Sequence, residues 1–372
     1  MEGNATNNSF QPLPARQPPQ THVGAQAWLR KNLFFSPAGS VATVVIVAIA
    51  LYLLWGLLDW AVFKAVWRTD NAACRALEHS AACWGVIGEK YRLIVFGRFP
   101  FEQQWRPLVG TLMLVALIIY SARPAAWKRA LLIRWVVALV VFFFLMRGGL
   151  FGLEYVETSR WGGLPLTIVL SIVGIVAGFP LAIALALGRR SSLPGIRTIC
   201  IVFIELVRGV PLISVLFMAS FMFPLFMPSG VNIDVLLRVV VGITLFSGAY
   251  LAEVIRGGLQ AVPKGQIEAA QTLGLSYWQT QRKIVLPQAL RTVVPAIVST
   301  FIATFKDTSL VTAVSLYELT GSLQLALGDA EWRAFYMEGY IFIAIIYFVC
   351  CYSMSRYSRW IEALLYAGTR RA

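Results

Sequence analysis

The chain has 372 residues, of which 58% are hydrophobic and only 13% are charged, and its mean hydropathy of +0.70 is too high for an ordinary soluble domain. Such a composition places most of the chain in a bilayer. The formal net charge of +14 invites a nucleic-acid reading, so where the charges fall decides more than their total.

Residues 1–35 are rich in Asn, Gln, Thr and Pro, with Pro12, Pro14, Pro18 and Pro19 close together. They cannot build a core and are expected to form a disordered tail. Residues 32–58 carry no charge and follow Arg30 and Lys31, which predicts a first membrane span. Its distance from the N-terminus and its lack of a small-residue cleavage site make it an anchor rather than a removed signal. Residues 59–106 read as a loop of mixed charge. Its Cys74 and Cys83 pair if the loop faces an oxidising periplasm and otherwise stay as two free thiols. A second span covers 107–122. The connector after it holds Arg123, Lys128, Arg129 and Arg134 without an acid and belongs on the cytoplasmic side. In the third span, 135–153, Arg147 is expected to snorkel toward the far interface.

The fourth span, 161–188, is uncharged and leads into Arg189, Arg190 and Arg197, again a cytoplasmic signal. A fifth covers 199–226. In its segment ELVRGVPL, Glu205 and Arg208 lie one helical turn apart, and Gly209 and Pro211 then bend the helix into a hinge. The two charges read as gating or substrate-path residues, or as an ion pair at the headgroups. The sixth span, 235–255, has Glu253 and Arg256 at its inner end. Next comes the one long polar loop among the spans, 257–291. Pro263 suits the first turn of a helix, Ile267, Ala270 and Leu273 fall on one stripe, and Gly274 ends the helix. Ser276 and Gln279 form a capping-box pattern that opens a second helix, which Pro287 is expected to close. Small side chains at Ala269 and Ala270 keep the first helix thin enough to lie in a groove on another protein, with Glu268 beside the contact. The seventh span, 292–314, contains Lys306 and Asp307, followed by Thr308 and Ser309. These charges either border a polar path or satisfy each other within the bundle. An eighth span covers 339–355, so both termini fall on one side.

On the side holding the tail, the basic connectors and the 257–291 loop there are 19 Lys and Arg against 3 acids, whereas the other side has 11 basic and 12 acidic residues. That asymmetry is the one membrane insertion favours, and it makes nucleic-acid binding unnecessary as an explanation. No G-x-x-x-x-G-K-[ST] phosphate loop occurs, so an energy source of that type has to come from a partner. The two histidines, His22 and His79, lie far apart and offer no metal site or triad. Cys200, Cys350 and Cys351 fall in spans and read as packing residues.

Glu268, Ala269, Ala270, three residues, Gly274, nine residues, Ile284, one residue, Leu286 and Pro287 resemble, without departure, the EAA loop of ABC importer permeases. The resemblance implies an all-α polytopic membrane protein of about eight spans. A five-helix type I importer core over 161–372 would follow an extension over 36–160. It also implies that the first helix of the loop couples to an ABC ATPase subunit. ATP and Mg would sit on the ATPase subunits and no cofactor on this chain. The implied partners are a second permease, as a heterodimer, a periplasmic amino-acid-binding protein and lipid, in a bacterial inner membrane with both termini cytoplasmic. KDTSL and E-x-x-R-G-x-P-L resemble the polar amino-acid branch of the family. The three spans before residue 161, together with the FEQQWRP segment at 101–107, look like the larger permease subunit of a general L-amino-acid importer. An ion-coupled secondary transporter would account for the embedded charges but not for the EAA loop.

Overall fold

The computed structural model describes residues 24–77, 80–228 and 230–367. Among them the regular structure is helical, apart from isolated bridge residues such as those between Gly163 and Glu318. Among the described residues seven helices are long and apolar enough to cross a membrane, or eight when the bent pair Pro194–Gly209 and Leu212–Phe226 counts as one span. The chain divides into two compact units, residues 1–66 with 76–82, and residues 67–75 with 83–372.

In the first unit, α1 (Ala25–Asn32) precedes α2 (Pro37–Leu58). The helix at α1 corrects the expectation of disorder over that stretch, while residues 1–23 lie outside the described residues. The first span starts at Pro37 rather than at residue 32, because Ser36 caps it by accepting the Gly39 amide at 3.1 Å and Pro37 fits the first turn. No residue of α2 is buried. An apolar helix exposed all round fits contact with lipid.

The second unit opens with α3 (Asn71–Arg75) and α4 (Gly85–Phe96). The latter corrects the reading of 59–106 as a loop. The stretch alternates apolar and polar residues at helical period, burying Val86 and Ile94. The turn after it runs flush against the core. Gly97 and Gly163 both have φ +62°, and a Cβ on Gly163 would lie 2.0 Å from the Val95 carbonyl oxygen. This region is also tied to residues 328–338: Lys90 pairs with Asp329 at 2.8 Å, Asn71 donates to the Glu331 carbonyl at 2.7 Å, and the Cys83 amide donates to Glu338 at 2.7 Å.

Helices α5 (Trp105–Ser121) and α6 (Arg129–Arg147) form a pair in which Gly110 meets the Phe142 ring. Arg106 is fully buried between them, donating to the carbonyls of Leu145 at 2.6 Å and Glu154 at 2.9 Å. The centre of the unit is α7 (Gly163–Arg189) against α10 (Val235–Ala261). Glycine makes that contact close: a Cβ on Gly178 would lie 2.5 Å from Ser247 Oγ, and Ser247 donates to the Gly174 carbonyl at 3.0 Å.

Between these two helices run α8 (Pro194–Gly209) and α9 (Leu212–Phe217), joined at the 104° bend. The fifth span is thus two limbs, broken where Gly209 and Pro211 are expected to break or bend it. Pro211 has no amide hydrogen to donate and forces Val210 into an extended conformation, φ −110° and ψ 136°. Beyond α10 come α11 (Lys264–Thr272), α12 (Tyr277–Thr280), α13 (Leu286–Thr292) and α14 (Val294–Asp307), which continues as a tighter 3-10 helix to Val314. The unit closes with α15 (Leu319–Ala326) and α16 (Tyr336–Ala367). The last helix outruns the expected 339–355, because polar residues such as Arg356 and Arg359 continue it without a breaker.

Candidate functional site

The 257–291 loop is built from local signals. Pro263 stands at the N-cap of α11, one position before the first turn expected for it. The helix ends in a complete Schellman motif: the Gly274 amide donates to the Gln271 carbonyl at 2.9 Å and the Leu275 amide to the Ala270 carbonyl at 3.1 Å, with Gly274 at φ +71°. Ser276 and Gln279 then form the capping box that opens α12. Pro287 does not close this run. A wide turn over Gln281–Val285 shifts the hydrogen-bond ladder, so the proline enters the first turn of α13 where no donor is needed. Ala270 is buried, and Ile267, Ile284 and Leu286 are half-buried, so these anchor the loop. Leu273 leaves the expected stripe and is 78% exposed, because it sits at the C-cap with ψ 5°. Glu268 and Ala269 on the same helix are exposed too, as are Tyr277, Trp278 and Pro287 further along the loop, so apolar and acidic side chains stand open there.

At the same end of the bundle, charges tie α7, α8 and α10 together. Glu205 and Arg208 do not pair with each other. Glu205 accepts from Arg189 at 2.9 Å, and Glu253 gathers Arg189 at 3.3 Å, Arg208 at 4.0 Å and Arg256. Arg208 also lies over the Tyr250 ring, 5.4 Å from its centroid, immediately before the bend.

Lys306 and Asp307 make no ion pair with each other among the described residues, since neighbours on a helix point about 100° apart. Lys306 is exposed and Asp307 half-buried. Lys306 and Ser309 line a cavity of about 630 Å³ together with Thr320, Tyr340 and Tyr347. Behind its wall is the fully buried Glu318, whose carboxylate accepts hydrogen bonds from Tyr347 at 2.8 Å, Thr167 and Thr312 at 3.2 Å, and the amides of Thr320 at 2.8 Å and Gly321 at 3.1 Å. Burial pushes this carboxyl above its usual range, and those hydrogen bonds oppose the shift. Cys74 and Cys83 are joined as a disulfide with their Cα atoms 5.5 Å apart. No group of three or more His, Cys, Asp or Glu suited to a metal occurs among the described residues.

Residues 174–365 match the family model described as the binding-protein-dependent transport system inner membrane component. The inner membrane amino-acid ABC transporter permease YhdY of Escherichia coli is 45% identical over 94% of this chain and 96% of its own length. The chain belongs to this permease family. The glutamate/glutamine/aspartate/asparagine transport system permease BztC of Rhodobacter capsulatus is 36% identical, covering 95% of this chain and 96% of its own. A shorter relative, the probable glutamine permease GlnP of Bacillus subtilis, is 35% identical over 54% of this chain and 91% of its own.

Within the permease, three groups escape the sequence patterns. Glu318 lies outside every expected span, and only its buried donors mark it. Arg189 and Glu253 look like interface charges until the fold brings them to Glu205 and Arg208. Arg238 is 9% exposed, and the one sequence signal for it is a lone cation in the apolar run VLLRVVVGITLF.

Proposed function

We propose that this permease is the membrane-spanning subunit of an ATP-driven importer of L-amino acids, with α11 as the element that couples it to an ABC ATPase. The observation that carries the reading is the outward face of the 257–291 loop, where Glu268, Ala269 and Leu273 stand exposed on a helix fixed at both ends. A thin helix with an apolar and acidic face fits a groove on a partner. ATP and Mg belong to that ATPase, and a second, different permease chain completes the pore. A periplasmic binding protein delivers the substrate. The amino-acid class follows the names borne by the relatives and the KDTSL and ELVRGVPL segments. Both termini and the 257–291 loop lie in the cytoplasm, as the charge asymmetry favours, and 59–106 lies in the periplasm. Lys306 and Ser309 border the substrate path, and the bend after Arg208 serves as a gating hinge.

In the proposed cycle, closure of the ATPase dimer pushes α11 and turns the core outward, the binding protein releases its amino acid, and hydrolysis returns the core inward. Such a cycle needs contacts that differ in strength between the two states. Reconstituted vesicles test it: uptake that requires ATP and the co-purified ATPase is the expected result. Uptake driven by an ion gradient without the ATPase would replace this reading with a secondary transporter.

A further inference from the structure

Arg238 lies one turn into α10 and is 9% exposed. A guanidinium keeps its charge when buried, so it calls for partners. Those it has are neutral: Nη1 donates to the Ser220 carbonyl and, at 3.5 Å, to that of Ala219. Its Nε is buried with no hydrogen-bond partner, as is the neighbouring Ser220 hydroxyl. Among the described residues no carboxylate pairs with it.

The side chain borders a cavity of about 510 Å³ that Glu157, Thr158, Asn232, Asp234 and Ser315 also line. That volume falls within the roughly 300–1,000 Å³ of small-molecule sites. Asp234 stands four residues before Arg238, on the same helix face. It accepts the Leu236 amide at 2.8 Å and the Thr158 hydroxyl, while Glu157 accepts the Ser159 hydroxyl at 3.1 Å. One wall therefore carries an unpaired guanidinium and the rest carries two carboxylates held in place. The position matters as well. α10 hands over to the 257–291 loop at its far end, Ala261, about 35 Å away at roughly 1.5 Å per residue.

We propose that this cavity is an entry site for a zwitterionic amino acid, with the α-carboxylate paired to Arg238 and the α-ammonium facing Asp234 and Glu157. The site rests on the importer reading above, under which this end of α10 faces the periplasm. It gives Arg238 the anion it lacks, and it sorts free amino acids from amides and N-blocked forms before they reach the deeper path.

The test uses the assembled complex with its ATPase, in lipid discs and without the binding protein. The probe is whichever of the twenty labelled L-amino acids wild-type vesicles accumulate best, and its competitors are the same amino acid as the α-carboxamide and as the N-acetyl derivative. The free amino acid is expected to bind at least about tenfold better than either, as a charge-assisted contact implies. Arg238→Gln should weaken binding by about tenfold and bring the amide within about twofold of the free acid, while Arg238→Lys keeps part of the preference. Asp234→Asn retains the helix cap and should spare discrimination against the amide while losing that against the N-acetyl form. If Arg238 only staples the Ser220 turn, Arg238→Gln leaves the amide preference unchanged, and the proposal is overturned. Should Arg238→Gln fail to assemble, unchanged discrimination against the N-acetyl form in Asp234→Asn overturns it instead. A wild-type complex that transports its amino acid but binds none of it without the binding protein also overturns the site. Wild-type vesicles that accumulate no amino acid at all overturn the importer reading itself.

Discussion

Gly274 offers the sharpest test of the coupling element, because structure and function separate there. Its φ is +71°, and the two Schellman hydrogen bonds depend on that conformation. A Cβ added to it would meet nothing within 4 Å. Substitution therefore brings conformational strain and no clash. A residue with a Cβ is disfavoured in this region by about 1–2 kcal/mol, Asn by less, and a β-branched residue by more. One to two kcal/mol changes a local equilibrium by a factor of about 5–30. Of α11 only Ala270 is buried, so the helix can lose its orientation without unfolding the spans. ATP-driven uptake, normalised to membrane abundance, should fall in the order Gly274→Asn, Gly274→Ala, Gly274→Val, with the alanine variant down by about 5–30-fold. Abundance should stay near wild type while recovery of the ATPase on purification falls in parallel. Equal impairment by Asn and Val, or full uptake with Val, would refute the argument from backbone conformation.

Glu268→Ala should weaken ATPase recovery and uptake by about tenfold or more if one charge-assisted contact of roughly 1.5–3 kcal/mol is lost, with normal membrane abundance as the control. Gly163→Ala should sharply lower thermal stability and abundance, because φ is +62° and the added Cβ would lie 2.0 Å from the Val95 oxygen. Gly152→Ala, also at positive φ but in open space, should be mild by the same assay, and a reversed order would refute the packing argument. A cysteine placed by Gln17→Cys should resist membrane-impermeant reagents in intact cells, and labelling from outside would overturn the cytoplasmic assignment of the tail.

What the sequence made legible was local. The end of α11 and the start of α12 were readable because a Schellman glycine and a capping box are each written within about six residues. Seven of the eight expected spans also meet a continuous helix, since twenty apolar residues leave the backbone no other way to satisfy itself in lipid. In the fifth, Gly209 and Pro211 announce the break, whereas its size, 104°, follows from the extended backbone that Pro211 forces on Val210. Pro287 was misjudged because a wide turn upstream lets a helix pass through a proline, and nothing in the residue pattern announces that turn. The charge cluster around Arg189 was illegible in principle, because its partner Glu205 is 16 residues away in sequence and its other partner, Glu253, is reached only through the packing of α7 on α10. Arg238 shows in the sequence only as a lone cation in an apolar run, and its burial marks it as exceptional.

These non-local contacts supply what the 257–291 loop alone lacks, a route from α11 to the bend. Val285 and Ala289, on the second limb of the loop, are buried in one apolar cluster with Ala182 and Ala186 of α7, Ile204 of α8, and Ile255 and Leu259 of α10. Close packing makes such a cluster move as a body rather than deform. The approach is tight where α13 meets α10, since a Cβ on Gly258 would lie 2.6 Å from the Ala289 carbonyl oxygen. Arg190 adds a polar tie, donating to the Leu259 carbonyl at 2.7 Å. Around this cluster Glu253 holds arginines from α7, α8 and α10, of which Arg208 is the last charged residue before the bend. In the proposed coupling, a push on α11 therefore reaches α8 as a rigid displacement. It finds its first compliant point at Gly209 to Pro211, where the backbone is extended and the helical hydrogen bonds are already interrupted. The limb beyond that point carries Ala219 and Ser220, whose carbonyls hold Arg238. A displacement that reorients this limb changes the surroundings of the one buried cation in the entry cavity. Loop and cavity, at opposite ends of α10, are thus joined through α8 and its bend as well as along α10 itself.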